Sequence, residues 1–205
     1  MNEFKLFFKR LFRFSDPPLS PDNGGRSILP SILEIGDIVV SSSNTLQSRI
    51  IQNQLDYPIS HARILFDKTD PNNPRFIEAV ASGVQFKMFN EMMDEEFVIV
   101  AFRKTSLDNR LKNILTDWLI GKLGADYDFG AVFRDWLLLK FRYSGNEFSI
   151  DIGNTNKFYC SELIFEGYNQ IGIPLIDFNS WSRLPTRFIE MSYFDNLNYI
   201  GHLKY

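Results

Sequence analysis

Phe158-Tyr159-Cys160-Ser161-Glu162-Leu163-Ile164 carries the only cysteine of the chain, at a point where an extended run turns into a helix. A thiol at a helix start feels the positive end of the macrodipole and unpaired backbone N–H groups, and both favour the thiolate. The same N–H groups can stabilise an oxyanion. Upstream, Ser60-His61-Ala62-Arg63-Ile64-Leu65-Phe66 holds one of two histidines, the other being His202 near the end of the sequence. A lone cysteine, a lone internal histidine and a helix-start position together point to a cysteine nucleophile with an imidazole base.

The 205 residues suffice for one domain with a sizeable core. A hydrophobic share of 44% excludes wholesale disorder. Twenty phenylalanines, within an aromatic share of 15%, imply either a core filled by large rings or apolar surface for a greasy ligand or membrane. The net charge of −3, without a ribonucleoprotein, zinc-finger or basic-zipper pattern, gives no reason to expect nucleic acid. One cysteine excludes an internal disulfide and any multi-cysteine metal site, and the two histidines lack ligand spacing. Neither a metal nor an organic cofactor is expected.

In residues 1–14, Phe4, Phe7, Phe8, Leu11 and Phe12 recur at helical spacing, with Lys5, Lys9, Arg10 and Arg13 between them. This is a short basic amphipathic helix. Lys9 and Arg10 interrupt the apolar core that a secretory signal needs, and no apolar run reaches spanning length. The expectation is a cytoplasmic protein, peripheral at a membrane if this helix adsorbs to anionic lipid. The other reading is a helix whose phenylalanine face docks on the domain or on a partner. Residues 15–30, rich in Pro, Gly, Ser and Asn, read as a linker, so the domain is placed at 31–205.

Short strands are expected at 36–40, 60–66, 76–80, 84–89 and 97–103, the fourth following a turn at Ser82-Gly83. Thr45 to Asn53 suits a short helix. Leu107 to Leu123 is amphipathic and stopped by Gly124, and Val132 to Phe141 is apolar enough for another helix. Cys160 to Gln170 is helical with Leu163, Ile164 and Tyr168 on its buried side. The tail reads as aromatic and irregular. Strands followed by helices give an α+β fold, a small antiparallel sheet packed against helices with the nucleophile at a helix N-terminus.

Cysteine hydrolases need an ionisable thiol, a basic nitrogen and a polar group that fixes the imidazole tautomer. Cys160 suits the first role, although a small buried hydrophobe would sit equally well at the top of a core helix. His61 suits the second, with a structural histidine at a strand edge as its rival. Glu78 interrupts the apolar run Phe76-Ile77-Glu78-Ala79-Val80 and either faces solvent or aims at the imidazole. Tyr159 and Tyr127 are weaker candidates for substrate binding or oxyanion support, with core or turn roles as alternatives. His202 reads as a surface residue. There is no Gly-x-Ser-x-Gly elbow, Walker loop, His-Glu-x-x-His or Gly-x-Gly-x-x-Gly.

Four stretches together resemble the circularly permuted papain-like branch of the NlpC-type cysteine hydrolases, in particular YiiX/YebB-like members. They are Gly36-Asp37-Ile38-Val39-Val40, Ser60-His61-Ala62-Arg63-Ile64, Ile77-Glu78-Ala79-Val80 with Gly83-Val84, and Phe158 to Ile164. Their order is the specific part, since histidine and the polar third residue precede cysteine, as permutation requires. The resemblance implies a permuted papain-like fold, Cys160 as nucleophile, His61 as base and Glu78 as the group orienting it. The related lecithin:retinol acyltransferase-like proteins share the layout, but their Asn-Cys-Glu-His-Phe motif is absent. The implied activity is cleavage of an amide or ester through a thioester. Phenylalanine abundance and the basic helix tilt the substrate toward a lipid or lipid-like amide. A peptidoglycan-type amidase or peptidase and a non-catalytic binding protein on the same fold are the alternatives.

Overall fold

The computed structural model describes residues 25–43, 59–104, 107–130, 156–175, 188 and 197–205. Short apolar segments rich in Ile, Val, Leu and Phe form β1 (Ile38–Ser43), β2 (His61–Asp67), β3 (Arg75–Val80) and β4 (Gly83–Met88), close to the expected positions. A short helix, α1 (Phe89–Glu95), then leads into β5 (Glu96–Arg103). These strands and a late one, β8 (Asn198–Lys204), make a six-stranded antiparallel sheet in the order β4-β3-β2-β1-β5-β8. Helix α2 (Asn109–Ile120), the two-residue strands β6 (Asp126–Tyr127) and β7 (Lys157–Phe158), and helix α3 (Cys160–Gln170) complete the described elements. The fold is α+β.

Register divides the side chains between two faces. Val40 lies opposite Ala62 and Val100, and Ile64 opposite Ile77, which places these residues on the face covered by α2 and α3. Leu115 and Leu119 of α2 and Leu163, Ile164, Phe165 and Tyr168 of α3 close the larger core there. On the other face Val39, Leu65, Phe76, Ile99 and Ala101 pack with Phe89 and Met92 of α1. Strand alternation sends His61 and Arg63 to that second face, along with Glu78.

Three local features differ from expectation. Helix α2 is shorter than 107–123 because the Asp108 side chain accepts from the Leu111 N–H (2.8 Å) and caps the helix there. Helix α1 was not expected; the Glu91 carboxylate accepts from the Met88 N–H at 2.8 Å and fixes its first turn. The tail is not irregular throughout, since β8 pairs along β5 and Phe102 lies opposite Tyr199. The outer edge of β8 is itself taken: the Ile28 N–H donates to His202 O (2.8 Å) and the His202 N–H to Arg26 O (2.7 Å). His202 is therefore buried, not at the surface, with its Nδ1 2.6 Å from the Tyr199 hydroxyl.

The amphipathic helix of residues 1–14, most of the linker and the helices expected at 45–53 and 132–141 lie outside the described residues. No helix among the described residues is long and apolar enough to cross a membrane.

Candidate active site

Cys160 is the first residue of α3, after an extended Tyr159 with φ −99° and ψ 169°. Strand β7 delivers the chain to that point, pairing in parallel with β6 so that Tyr127 lies opposite Phe158. The Glu162 carboxylate reaches back to accept from the Tyr159 N–H at 3.5 Å, the carboxylate half of a capping box. As the first helical residue, Cys160 has an N–H with no intrahelical acceptor.

The thiol is almost fully buried, at 5% exposure, and His61 sits against it. Burial alone would raise its pKa. Attraction and a hydrogen bond from the His61 imidazole, together with the backbone N–H groups of Ala62 and Ser161, outweigh that and lower it. Both a strand residue and a helix residue thus donate to the sulfur.

His61 opens β2. Its Nε2 is 2.9 Å from Oε2 of Glu78, which leaves Nδ1 for Cys160. Burial and the nearby Arg63 guanidinium disfavour the imidazolium. The Cys160 thiolate and the Glu78 carboxylate favour it more, and the pKa stands raised, to about 9. A thiol shifted down beside an imidazole shifted up is the electrostatic direction that favours a thiolate–imidazolium pair.

Glu78 does not face solvent; it is 2% exposed. Its Oε2 also accepts from Arg63 Nε (2.6 Å) and its Oε1 from Gln85 Nε2 (2.9 Å), the residue opposite it on β4. Burial alone would raise its pKa, but His61, Arg63 and Gln85 hold the carboxyl well below the usual range. It is an ionised acceptor.

Tyr127 reaches the site by a chain of close contacts. Gly83 begins β4 at φ +109°, and a Cβ there would meet the Ala125 carbonyl oxygen at 2.7 Å. That proximity lets Val84 exchange backbone hydrogen bonds with Gly124 and Ala125, each 2.9 Å, two residues before Tyr127. Burial, and then the negative charge on Cys160, raise the Tyr127 phenol, which stays a protonated donor. Tyr159 is 1% exposed and joins the buried residues instead of lining an open cleft.

The structure therefore brings Cys160, His61 and Glu78 together and puts Tyr127 beside them. Sequence reading assigned no role to Arg63, Gln85 and Glu96. The signal for Arg63 was a charge two residues from His61 in an otherwise apolar strand, which alternation sends to the same face. A charge in such a place needs a partner. Glu96 carried no comparable signal.

No protein-family model matches the chain, and no curated protein does. Among solved structures it is similar to the crystal structure of the metalloprotein YiiX from Escherichia coli O157:H7, DUF1105. The identity is 20%, the TM-score 0.53, and the match covers 83% of this chain and 88% of that one. The likeness is one of fold. In this chain no three His, Cys, Asp or Glu side chains among the described residues are grouped to hold a metal ion, and both oxygens of Glu78 are already engaged. The described site does not fit a metal, and no step below runs through one.

Proposed function

We propose that this protein is a cysteine hydrolase on a circularly permuted papain-like fold, cleaving an amide or ester bond through a thioester. The observation that carries the reading is the position of His61, against Cys160 on one side and the ionised Glu78 on the other. Sγ of Cys160 adds to the carbonyl carbon, and the resulting oxyanion is met by the Cys160 N–H with support from the Tyr127 phenol. The imidazolium of His61 gives its proton to the departing nitrogen or oxygen as that bond breaks. The neutral imidazole then takes a proton from water, whose oxygen attacks the thioester, releasing the acid and restoring the pair.

An acyl substrate of lipid type is favoured. Phe129, 60% exposed, lies edge-on to Tyr127 at 4.7 Å between ring centroids, an apolar surface next to the nucleophile. The basic amphipathic segment 1–14 supports delivery of such a substrate from an anionic membrane surface.

Incubation with acyl-lipid vesicles and, separately, with cell-wall peptide amides tests this by intact mass. An acyl adduct on Cys160 with the lipid panel, absent in Cys160→Ala, is the expected result. An adduct only with peptide amides would move the substrate to the peptidase class. No adduct and no turnover in either panel would remove the hydrolase reading. Deleting residues 1–14 should lower vesicle-bound activity, and unchanged activity and vesicle binding would remove the membrane contact.

A further inference from the structure

Arg63 is a buried guanidinium with three partners on three other strands. Its Nε donates to Glu78 of β3 (2.6 Å), one terminal nitrogen to Ser41 Oγ of β1 (2.6 Å) and the other to Glu96 Oε1 of β5 (2.8 Å). Arg63, Glu78, Ser41 and Glu96 are each 4% exposed or less. A structural ion pair needs only two members, and buried pairs are often replaceable by apolar residues without loss of stability. Here the chain of contacts runs from Glu96 through Arg63, Glu78 and His61 to Cys160, with alternating sign at each step.

We infer that Arg63, anchored by Glu96 and Ser41, is a positioning residue that fixes the Glu78 carboxylate on His61 and so sets the reactivity of Cys160. The inference rests on the proposed thiolate–imidazolium chemistry. The guanidinium is planar, and a carboxylate oxygen on Nε cannot swing away while both terminal nitrogens are tied to other strands. Without that cation, Glu78 and Glu96 are two buried carboxylates whose nearest cation is the imidazolium alone. Burial then favours a proton on Glu78. A protonated Glu78 no longer supports the imidazolium, and the thiol loses its counter-ion. The groups that bear on His61 are Cys160 from α3 and Glu78 from β3, which favour the imidazolium, and Arg63 on its own strand, whose charge acting directly opposes it. Removing Arg63 therefore relieves that repulsion while releasing Glu78, and the loss through Glu78 outweighs the relief. Glu96 from β5 acts through Arg63, and Tyr127 from β6 is felt through Cys160.

The test is the pH profile of Cys160 alkylation by iodoacetamide in the full chain, for the parent, Arg63→Met and Arg63→Lys. With one cysteine in the sequence, the added mass reports this site alone. In the parent, alkylation should persist well below the ordinary thiol pKa. In Arg63→Met the acid limb should move up by about one pH unit or more, a loss of about tenfold in rate at the foot of the limb. Arg63→Lys keeps a cation but not the three-armed fork, and its limb should fall between the two. A folded Arg63→Met whose profile superimposes on the parent's, with only its melting temperature lowered, would make Arg63 a structural residue, and one whose limb moves down would show that its direct repulsion of His61 dominates; either overturns the inference. If Arg63→Met does not fold, Arg63→Lys decides: a limb displaced upward supports the inference, and a parental limb or one displaced downward overturns it. Spectra of 15N-labelled histidine add an independent reading. The chain has two histidines, and the His61 signal should lose imidazolium character at neutral pH in each displaced variant. A parent whose thiol titrates ordinarily would instead defeat the hydrolase reading itself, and the inference with it.

Discussion

Oε2 of Glu78 lies 2.9 Å from Nε2 of His61, and the same oxygen lies 2.6 Å from Nε of Arg63. One oxygen between two cationic donors orients the imidazole more tightly than a single hydrogen bond would, because neither donor can be lost without leaving the other to rearrange. Glu78→Gln replaces a pure acceptor with an amide that must turn its NH2 toward one of its present donors. The turnover efficiency of that variant should fall by about 100-fold or more, measured on whichever acyl substrate labels Cys160.

Stability of the same variant should depend on pH in a defined direction. Glu78 is held below its ordinary value of 4.5, so the folded protein binds this proton less readily than the unfolded chain. Its contribution is therefore complete above about pH 4.5 and is lost as the pH falls through the folded value. Breaking the buried pair should cost about 3–5 kcal/mol near neutral pH, read by urea titration. The gap between parent and Glu78→Gln should narrow below about pH 4.5, and a gap that stays constant into acid would remove the claim that Glu78 is ionised in the fold.

The lowered thiol and the raised imidazole define a window for activity. Its acid edge is loss of the thiolate, below the usual 9.0 of a thiol, and its alkaline edge is loss of the imidazolium proton at about 9. Above that edge the neutral ring has no proton for the leaving group, so a bell with its falling limb near 9 is expected in the rate profile. In His61→Ala, burial becomes the dominant influence on Cys160 and pushes the thiol up. Alkylation at mildly acid pH should be lost in that variant. Retention of fast alkylation there would show that the helix start and the two backbone donors suffice without the imidazole.

Tyr127→Phe separates oxyanion support from thiol activation. The phenol is held protonated beside Cys160, whereas the thiol is lowered by His61 and by the Ala62 and Ser161 N–H groups. The variant should lose about tenfold or more in turnover rate while its alkylation profile stays parental. A displaced alkylation profile would instead make Tyr127 part of the thiol's electrostatic setting.

The central strands and the Cys160 helix were legible because their signals are local. Short apolar runs at Ile64 to Phe66 and Phe76 to Val80, and an apolar stripe behind Cys160, need no distant partner to be read. His61 and Glu78 stood out as residue types out of place in those patterns, and the fold sets them 2.9 Å apart. Helix α1 was not legible: seven residues hold less than two full turns of periodicity, and Phe89 continues the preceding strand without a break. Strand β8 exists through pairing with β5 about a hundred positions earlier, and Gly201-His202 interrupts its alternation, which is also why His202 read as exposed. The clamp from Arg63 to Glu96 joins two charges that only the pairing of β1 with both β2 and β5 makes neighbours.

Gly83 gives the fold-level counterpart of these site predictions. Its φ of +109° is a region that L side chains rarely adopt, and a methyl group there would stand 2.7 Å from the Ala125 carbonyl oxygen. Gly83→Ala should cost about 1–3 kcal/mol through backbone strain, seen as a lower urea midpoint. It should also push the 124–125 segment off β4, breaking the paired bonds at Val84 that hold Tyr127 in place. Turnover should therefore fall as it does in Tyr127→Phe, while Cys160 alkylation, which depends on β2, β3 and α3, keeps its acid limb. A variant that loses stability alone, with parental turnover, would show that Tyr127 is placed by its pairing with β7 and not by the Gly83 turn.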